Sequence, residues 1–270
     1  MKRDIIAICD IILYLIIFIV LQSICVAIFQ MVLKDDQALA MVLGQAVSAV
    51  LTIIVFAITH WAHFGLSHFG KKHIPLLITI AIFTLGTLLP SEWVLEASNI
   101  DMPDSYKSLF EMILSHPLGI FSIFFLVPIA EEVVLRGAVL RRLLAWLTPT
   151  DKVIIGTKGL RQRNALHWVA ITISALIFGL LHGNLAQGTH AFVMGLFLGW
   201  VFYRTNSILP GLVFHWVNNT ASVIQAHIFG MDTDLRVIDM FGGNELLMYG
   251  TITISVIVAI ISFLAIKKTI

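Results

Sequence analysis

Residues 117–136 read PLGIFSIFFLVPIAEEVVLR and place two adjacent carboxylates, Glu131 and Glu132, and one guanidinium, Arg136, at the end of an almost entirely apolar run. A run of about 20 such residues is long enough for a helix to cross the hydrocarbon core of a bilayer. A charge near the centre of a membrane helix costs at least about 2.5–3.5 kcal/mol, so charged side chains there are candidates for function. The stretch therefore predicts a transmembrane helix with a functional cluster of charges.

The composition of the whole chain indicates the same surroundings. Hydrophobic residues make up 59% of the 270 residues and charged residues 12%, whereas about a quarter of the residues in an ordinary soluble domain are charged. One soluble core could not bury so much apolar surface, so the lipid bilayer is the predicted solvent. The net charge is only +1, which gives no basis for binding nucleic acid.

Apolar windows along the chain predict an all-α integral membrane protein with about eight transmembrane helices. The predicted spans are about 11–33, 41–59, 74–90, 117–146, 166–183, 189–203, 207–225 and 246–266. The sixth span is short, so seven spans would also fit the hydropathy alone. No repeat and no soluble module interrupts the pattern, which predicts a single membrane domain over residues 1–270, with residues 1–116 forming N-terminal transmembrane helices.

The basic residues divide unevenly between alternate loops. If the N-terminus is cytoplasmic, three of the 17 Lys and Arg residues, Lys34, Lys107 and Arg236, fall on the outer side and the other fourteen on the cytoplasmic side. The outer loops are acidic instead. This bias follows the positive-inside rule and requires an even number of spans. We therefore expect eight spans, with both termini in the cytoplasm.

The spacing of the charged cluster separates the two carboxylates. Glu132 and Arg136 are four residues apart with the acid first, which is the favoured order for an ion pair on one helix face. Glu131 lies about 100° further round the helix and is free to project into a cavity. The alternative is that all three side chains extend to the cytoplasmic headgroups.

Two further polar motifs fall inside predicted spans. Phe178 and His182 lie late in the fifth span, and His215 and Asn219 lie four apart on one face of the seventh. A lone histidine in a membrane helix is often a packing residue. Polar groups in hydrocarbon need partners, however, so two such motifs and a carboxylate are expected to gather around one wet cavity.

A carboxylate, two imidazoles and a carboxamide are sufficient to hydrolyse a peptide bond with water. Glu131 is a candidate base, His182 can orient the water, and His215 and Asn219 can donate hydrogen bonds to the developing oxyanion. No G-x-S-x-G, H-E-x-x-H or G-x-x-x-x-G-K-[ST] motif offers a rival chemistry. A zinc ion bound by Glu131, His182 and His215 stays open as an alternative, because Glu and two His residues form a known catalytic ligand set.

A second place to consider a metal is the loop after the second span, which contains four histidines. Residues 60–73 hold His60, His63, His68 and His73. No carboxylate or cysteine pattern accompanies them, and the neighbouring aromatic and basic residues are typical of a membrane interface. We expect no metal site in this loop, and no cofactor anywhere in the chain.

The order E-E-x-x-x-R, F-x-x-x-H, H-x-x-x-N over residues 117–225 resembles the CAAX prenyl proteases and their bacterial relatives, the CPBP group of CAAX proteases and bacteriocin-processing enzymes. Residues 192–200, FVMGLFLGW, and 203–210, YRTNSILP, also resemble the connecting helix and turn of that family. The resemblance implies an eight-helix fold with a catalytic core at residues 117–225 and a metal-independent glutamate mechanism. The roles that it implies are water activation by Glu131 and His182, oxyanion binding by His215 and Asn219, and structural support by Glu132, Arg136 and Phe178.

The predicted function is therefore an intramembrane endopeptidase that cuts a membrane-associated peptide or protein near the cytoplasmic side. The short chain looks more like bacterial members than eukaryotic ones, which predicts a location in the bacterial plasma membrane and leaves a prenylated substrate open. One alternative is a non-catalytic immunity or scaffold protein of the same fold that binds a bacteriocin or a partner. A second alternative is a transporter, because intramembrane Glu and His also form proton relays.

Overall fold

The computed structural model describes residues 2–66, 73–148, 156–229 and 236–270, and these are helical with no strand among them. In chain order the helices are α1 (Lys2–Val32), α2 (Gln37–Ile58), α3 (Ile74–Ala97), α4 (Asp104–Leu114), α5 (Pro117–Leu147), α6 (Gly156–Leu181), α7 (Leu185–Thr205), α8 (Leu209–Phe229) and α9 (Glu245–Thr269). A short 3-10 helix, Val237–Phe241, precedes α9. The all-α class predicted from the sequence is confirmed for these residues.

Six of these helices are long and apolar enough to cross a membrane, namely α1, α2, α3, α5, α7 and α9. The other two predicted spans coincide with α6 and α8. In α6 the apolar part is the shorter segment Ala165–Leu181, and α8 carries His215, Asn218 and Asn219 in its middle. The polar residues that suggest a function thus also lower the hydropathy of the helix that holds them. The count of eight stays a prediction.

Two features of the helices differ from the sequence prediction. The third span was predicted to end at residue 90, but α3 continues through Pro90 to Ala97, since neighbouring helices in a membrane protein can accommodate a proline kink. The amphipathic helix α4 was not predicted, because its 11 residues include two acids and a lysine and are too few for a span.

Helix α5 is continuous but changes its winding along its length. π-Helical turns at Ser122–Leu126 and Val133–Leu140 flank an α-helical segment, Val127–Glu132, that carries both glutamates. Such turns often occur at functional sites in membrane and soluble proteins. Every residue from Glu132 to Leu140 is buried, so this half of α5 forms the centre of the bundle.

The helices pack mainly as antiparallel neighbours. Helix α1 packs against α2, α3 against α9, and α6 against α7, and α5 contacts α1, α2, α6 and α8. Glycines permit the closest approaches: a Cβ on Gly195 of α7 would lie 3.0 Å from Ala175 of α6, and one on Gly86 of α3 would lie 2.8 Å from the Ala259 nitrogen of α9. Small residues serve this purpose at helix interfaces in membranes.

Both ends of the chain lie at the same end of the bundle. The Arg3 guanidinium donates to the Ala145 carbonyl, and Arg142 forms an ion pair of 2.7 Å with Asp10, so the start of α1 contacts the end of α5. Arg204, at the end of α7, donates to the carbonyl of Ile270. We call this the basic end. Lys71, Lys72 and Lys152, which were predicted on the same side, lie outside the described residues.

The opposite end of the bundle, which we call the acidic end, holds the last turn of α3, helix α4 and the 3-10 helix. There the backbone nitrogen of Val237 donates to the Glu96 carboxylate at 2.7 Å. Asp36 caps the start of α2 by accepting a hydrogen bond from the Leu39 nitrogen. Asp101 and Asp104 also lie at this end, before and at the start of α4.

The close contact between α3 and α9 gives a first prediction. Gly86→Ala puts a methyl group against backbone atoms of α9, and overpacking of this kind costs about 1–3 kcal/mol. Gly250→Ala is the matched control in α9, because a Cβ there meets nothing within 4 Å. Thermal unfolding in detergent is expected to show a lower midpoint for Gly86→Ala and an unchanged or higher midpoint for Gly250→Ala. Equal midpoints for the two variants would contradict the packing described.

Candidate functional site

The charged cluster on α5 contains a buried ion pair. Nη1 of Arg136 donates to Oε1 of Glu132 at 2.8 Å, and both side chains are at most 1% exposed. The guanidinium also lies over the ring of Phe178, 4.5 Å from its centroid, where the face of an aromatic ring attracts a cation. Gly211 of α8 makes room for the pair, since a Cβ there would lie 2.5 Å from Oε2 of Glu132.

Glu131 has a different environment from its neighbour. Its carboxylate is 18% exposed, and its Oε2 lies 3.4 Å from Nε2 of His215. The other ring nitrogen of His215, Nδ1, lies 3.8 Å from Oε1 of Glu132. The imidazole of His215 is therefore held between two carboxylates, one paired with Arg136 and one facing a cavity.

His182 lies in the turn that joins α6 to α7. The backbone reverses there at Gly183, whose φ of +70° suits glycine, and Asn184 caps α7 by accepting a hydrogen bond from the Gln187 nitrogen at 2.9 Å. Nδ1 of His182 lies 2.9 Å from the Phe178 carbonyl oxygen. Because a carbonyl oxygen only accepts, Nδ1 carries the hydrogen and Nε2 is left with a lone pair when the ring is neutral.

Phe178 connects these groups. The edge-to-face contacts of its ring reach His182 at 5.0 Å and His215 at 5.9 Å between ring centroids. The same ring lies under Arg136. One buried aromatic side chain thus fixes the positions of both histidines relative to the ion pair.

Two cavities meet at Glu131 and His182. The first, of about 340 Å³, lies between α3, α5, α6, α7 and α8, and its walls include Glu131, Phe178, His182, His215 and Asn219. The second, of about 380 Å³, lies between α1, α2, α5 and α6 and has a mostly apolar wall with Gln22, Gln45 and Ser48. Both are lined by Val127, Glu131, Phe178 and His182. Glu132 and Arg136 line neither cavity and lie behind the wall.

A chain of hydrogen bonds crosses the wall of the first cavity. Nε2 of His190 lies 3.1 Å from Oδ1 of Asn218, the Asn218 amide donates to Oδ1 of Asn219 at 3.4 Å, and the Asn219 amide donates to the Ile123 carbonyl at 3.0 Å. Ile123 belongs to the first π-helical turn of α5. The chain fixes the Asn219 amide and leaves one of its two hydrogens for another acceptor.

Several residues of this cavity were not expected from the sequence. His190 belongs to none of the three motifs, and Glu92 lies beyond residue 90, where the third span was predicted to end, yet both line the first cavity. Glu92 accepts a hydrogen bond from the Gln225 side chain at 3.2 Å. Had α3 been extended through Pro90, Glu92 would have counted as a carboxylate inside a span, which is the signal that identified Glu131.

The described histidines of the loop after α2, His60, His63 and His73, line neither cavity. The His63 ring lies 3.3 Å from the Asn206 amide at the basic end, and His68 lies outside the described residues. No group of three or more His, Cys, Asp or Glu side chains close enough to hold a metal ion occurs in the part of the chain that the structure describes.

A comparison with protein-family models matches residues 113–221 to the family described as type II CAAX prenyl endopeptidase Rce1-like. This segment is Rce1-like. The match confirms the CAAX-protease family that the three motifs predicted. The Rce1-like segment extends from the end of α4 to the middle of α8 and contains every residue of the three motifs. Neither the curated proteins nor the solved structures give a match to the chain.

The match supports a membrane hydrolase of the CAAX-protease type, and proteases of that family act on membrane-associated substrates. The match covers less than half of the chain. Helices α1–α3 and α9 lie outside the Rce1-like segment, although α1, α2 and α3 form walls of the two cavities.

The buried ion pair gives a second prediction. Glu132→Gln removes the negative charge beside Arg136 and leaves a buried guanidinium uncompensated, which costs about 3–5 kcal/mol. Asp10→Asn is the matched control, because the Asp10–Arg142 pair at the basic end is 26–35% exposed and such pairs contribute about 0–1 kcal/mol. Thermal unfolding in detergent is expected to show a large decrease in midpoint for Glu132→Gln only. A similar small decrease in both variants would show that the Glu132–Arg136 pair has no special structural role.

Proposed function

We propose that this protein is an intramembrane endopeptidase that uses water activated by Glu131 and His182 to hydrolyse a peptide bond in a membrane-associated protein or peptide. The observation that carries the proposal is the position of these two side chains in the walls of both cavities. A polypeptide that passes from one cavity to the other comes within reach of both residues. The site needs no cofactor for this chemistry.

The division between the two glutamates supports Glu131 as the base. Glu132 is paired with Arg136 at 2.8 Å and lines neither cavity, so it is out of reach of a water bound there. Glu131 has no basic partner of that kind and faces the cavities. A general base must lie within hydrogen-bond reach of the water that it deprotonates, and Glu131 is the glutamate of the pair that a water in either cavity can reach.

The hydrogen bond of His182 supports its role as the partner of Glu131. With Nδ1 donating to the Phe178 carbonyl, the Nε2 lone pair is the part of the ring that can accept a hydrogen bond from water. A water bound to both side chains would be oriented by His182 and deprotonated by Glu131. The hydroxide then attacks the scissile carbonyl carbon, and its proton resides on Glu131.

His215 and Asn219 are the proposed donors to the oxyanion. When Glu131 accepts the proton it loses its negative charge, which weakens its attraction for Nε2 of His215 and leaves the N–H there free to donate to the new oxyanion. The second amide hydrogen of Asn219 can donate to the same atom. Preorganised donors of this kind contribute several kcal/mol to the rate, about 2.7–4 kcal/mol for one donor. The proton on Glu131 finally passes to the leaving amine as the C–N bond breaks.

A zinc mechanism is the chemical alternative at the same position. Glu131, His182 and His215 are the side chains that would bind the ion, which would supply Lewis-acid activation of water. The Nε2 lone pair of His182 is available to bind such an ion, but the side chains described do not form a three-ligand group. Sensitivity to a chelator separates the two mechanisms.

We also propose eight transmembrane spans, with α6 and α8 as the fifth and seventh, both termini in the cytoplasm and residence in a bacterial plasma membrane. The contacts of Arg3 and Ile270 at the basic end support an even number of crossings. The positive-inside rule then assigns that end to the cytoplasm.

Glu131→Gln tests the proposed function directly. Purified wild-type protein and the variant are incubated in detergent with peptides and proteins from a membrane extract, and the products are identified by mass spectrometry with and without a chelator. Loss of a general base is expected to reduce cleavage by at least about 100-fold with little change in the unfolding midpoint, and the chelator should have no effect on the wild type. Glu111→Gln, on the exposed face of α4, is the control and should cleave normally.

Two results of this experiment would change the conclusion. Cleavage abolished by the chelator would support the zinc mechanism. Identical product profiles from the wild type and Glu131→Gln would contradict the catalytic role of Glu131, and a binding role such as bacteriocin immunity would then become the better account.

A further inference from the structure

The two ends of the bundle differ in how the space between the helices is filled. Towards the basic end, the second half of α5 is buried on all sides from Val133 to Leu140. Its side chains pack against Phe202 at the end of α7 and against Ile208 and Leu212 at the start of α8. The loop after α2 closes this region further, since the His63 nitrogen donates to the Gly137 carbonyl and the Phe64 carbonyl accepts from the Ile208 nitrogen.

Towards the acidic end the same helices separate and leave the two cavities. The first cavity is lined by Glu92 and Leu95 from the last turns of α3 and by Met102 from the segment before α4. On its other side are Gln187 and His190 from the first two turns of α7. The second cavity likewise has Leu181 from the end of α6 in its wall.

The catalytic residues are therefore reached from the acidic end. His182 itself lies in the α6–α7 turn at that end. Glu131 and His215 lie deeper, with the packed half of α5 between them and the basic end. The two cavities lie on the side of these residues that faces the acidic end, and a filled core lies towards the basic end.

The distribution of Lys and Arg residues indicates which end of the bundle lies on which side of the membrane. The basic end holds Arg3, Arg142, Arg204 and the C-terminal turn with Lys267 and Lys268. Segments rich in Lys and Arg stay on the cytoplasmic side during insertion, whereas acidic segments have little influence. The acidic end is therefore the side that faces away from the cytoplasm.

We propose that the active-site cavity opens on the non-cytoplasmic side of the membrane, so that the substrates are peptide segments exposed on that face. This inference rests on the proposed function for its substrate class, and it differs from the cytoplasmic cut expected from the sequence. The sequence showed a charged cluster near basic residues. The lining of the cavities, with Glu92, Met102 and His190 in it, instead favours access from the opposite end.

Labelling of cysteines with a charged, membrane-impermeant maleimide tests the direction of opening in intact cells. The background is the Cys9→Ser, Cys25→Ser double variant, which removes both native thiols. Ser91→Cys and Met102→Cys place a thiol on the wall of the first cavity. Ser98→Cys marks the exposed surface of the acidic end, and Thr269→Cys marks that of the basic end.

The expected result is near-complete labelling of Ser91→Cys, Met102→Cys and Ser98→Cys in intact cells, with Thr269→Cys labelled only after permeabilisation. Labelling of Thr269→Cys in intact cells would overturn the orientation. A second result would also overturn the proposal. If Ser98→Cys is labelled but Ser91→Cys and Met102→Cys stay unlabelled, both in intact cells and after permeabilisation, the cavity does not open at the acidic end. The labelling does not depend on catalysis, so its failure is distinguishable from a failure of the proposed peptidase function, which Glu131→Gln tests separately.

Discussion

Glu132 and Arg136 form an ion pair of 2.8 Å in the fully buried centre of the bundle, and the cost of burying two charges makes each depend on the other. Water does not solvate either charge there, so the carboxylate and the guanidinium are stabilised by each other and by close neighbours. Phe178 covers the guanidinium, and Gly211 lets α8 approach the carboxylate. The pair thereby fixes the contacts of α5 with α6 and α8, which are the three helices of the sequence motifs.

This arrangement separates structural charge from reactive charge on one helix. Glu131 is adjacent to Glu132 in the chain but points about 100° away from it in an α-helical turn, towards the cavities. His215 lies between the two carboxylates, with its ring nitrogens 3.4 Å from Glu131 and 3.8 Å from Glu132, so a change of charge on Glu131 acts directly on its imidazole. The π-helical turns on either side of Val127–Glu132 adjust the direction of the flanking segments without breaking α5.

Much of the fold could be predicted because an apolar run long enough to cross the bilayer directly indicates a transmembrane helix. The predicted spans fall on eight helices of the structure, although among the described residues six helices pass as spans by length and composition. The spacing of Glu132 and Arg136 predicts a shared helix face because it depends on local geometry. Glu92 was missed because the third span was ended at Pro90, whereas α3 continues to Ala97. His190 was missed because it reaches the site through contacts between helices distant in sequence, which spacing alone does not encode. The direction in which the cavity opens depends on packing density, which composition does not show.

The most direct test of the central claim, that Glu131 activates water for peptide hydrolysis, is a single-turnover reaction in heavy-oxygen water. The purified protein is used in excess over a cleaved peptide from the membrane extract, and the oxygen isotopes of the product and of Glu131 are read by mass spectrometry. Direct attack by water predicts one heavy oxygen in the new C-terminal carboxylate and none in Glu131. Heavy oxygen in Glu131, with none in the product, would show that the carboxylate attacks the peptide itself and would contradict the account.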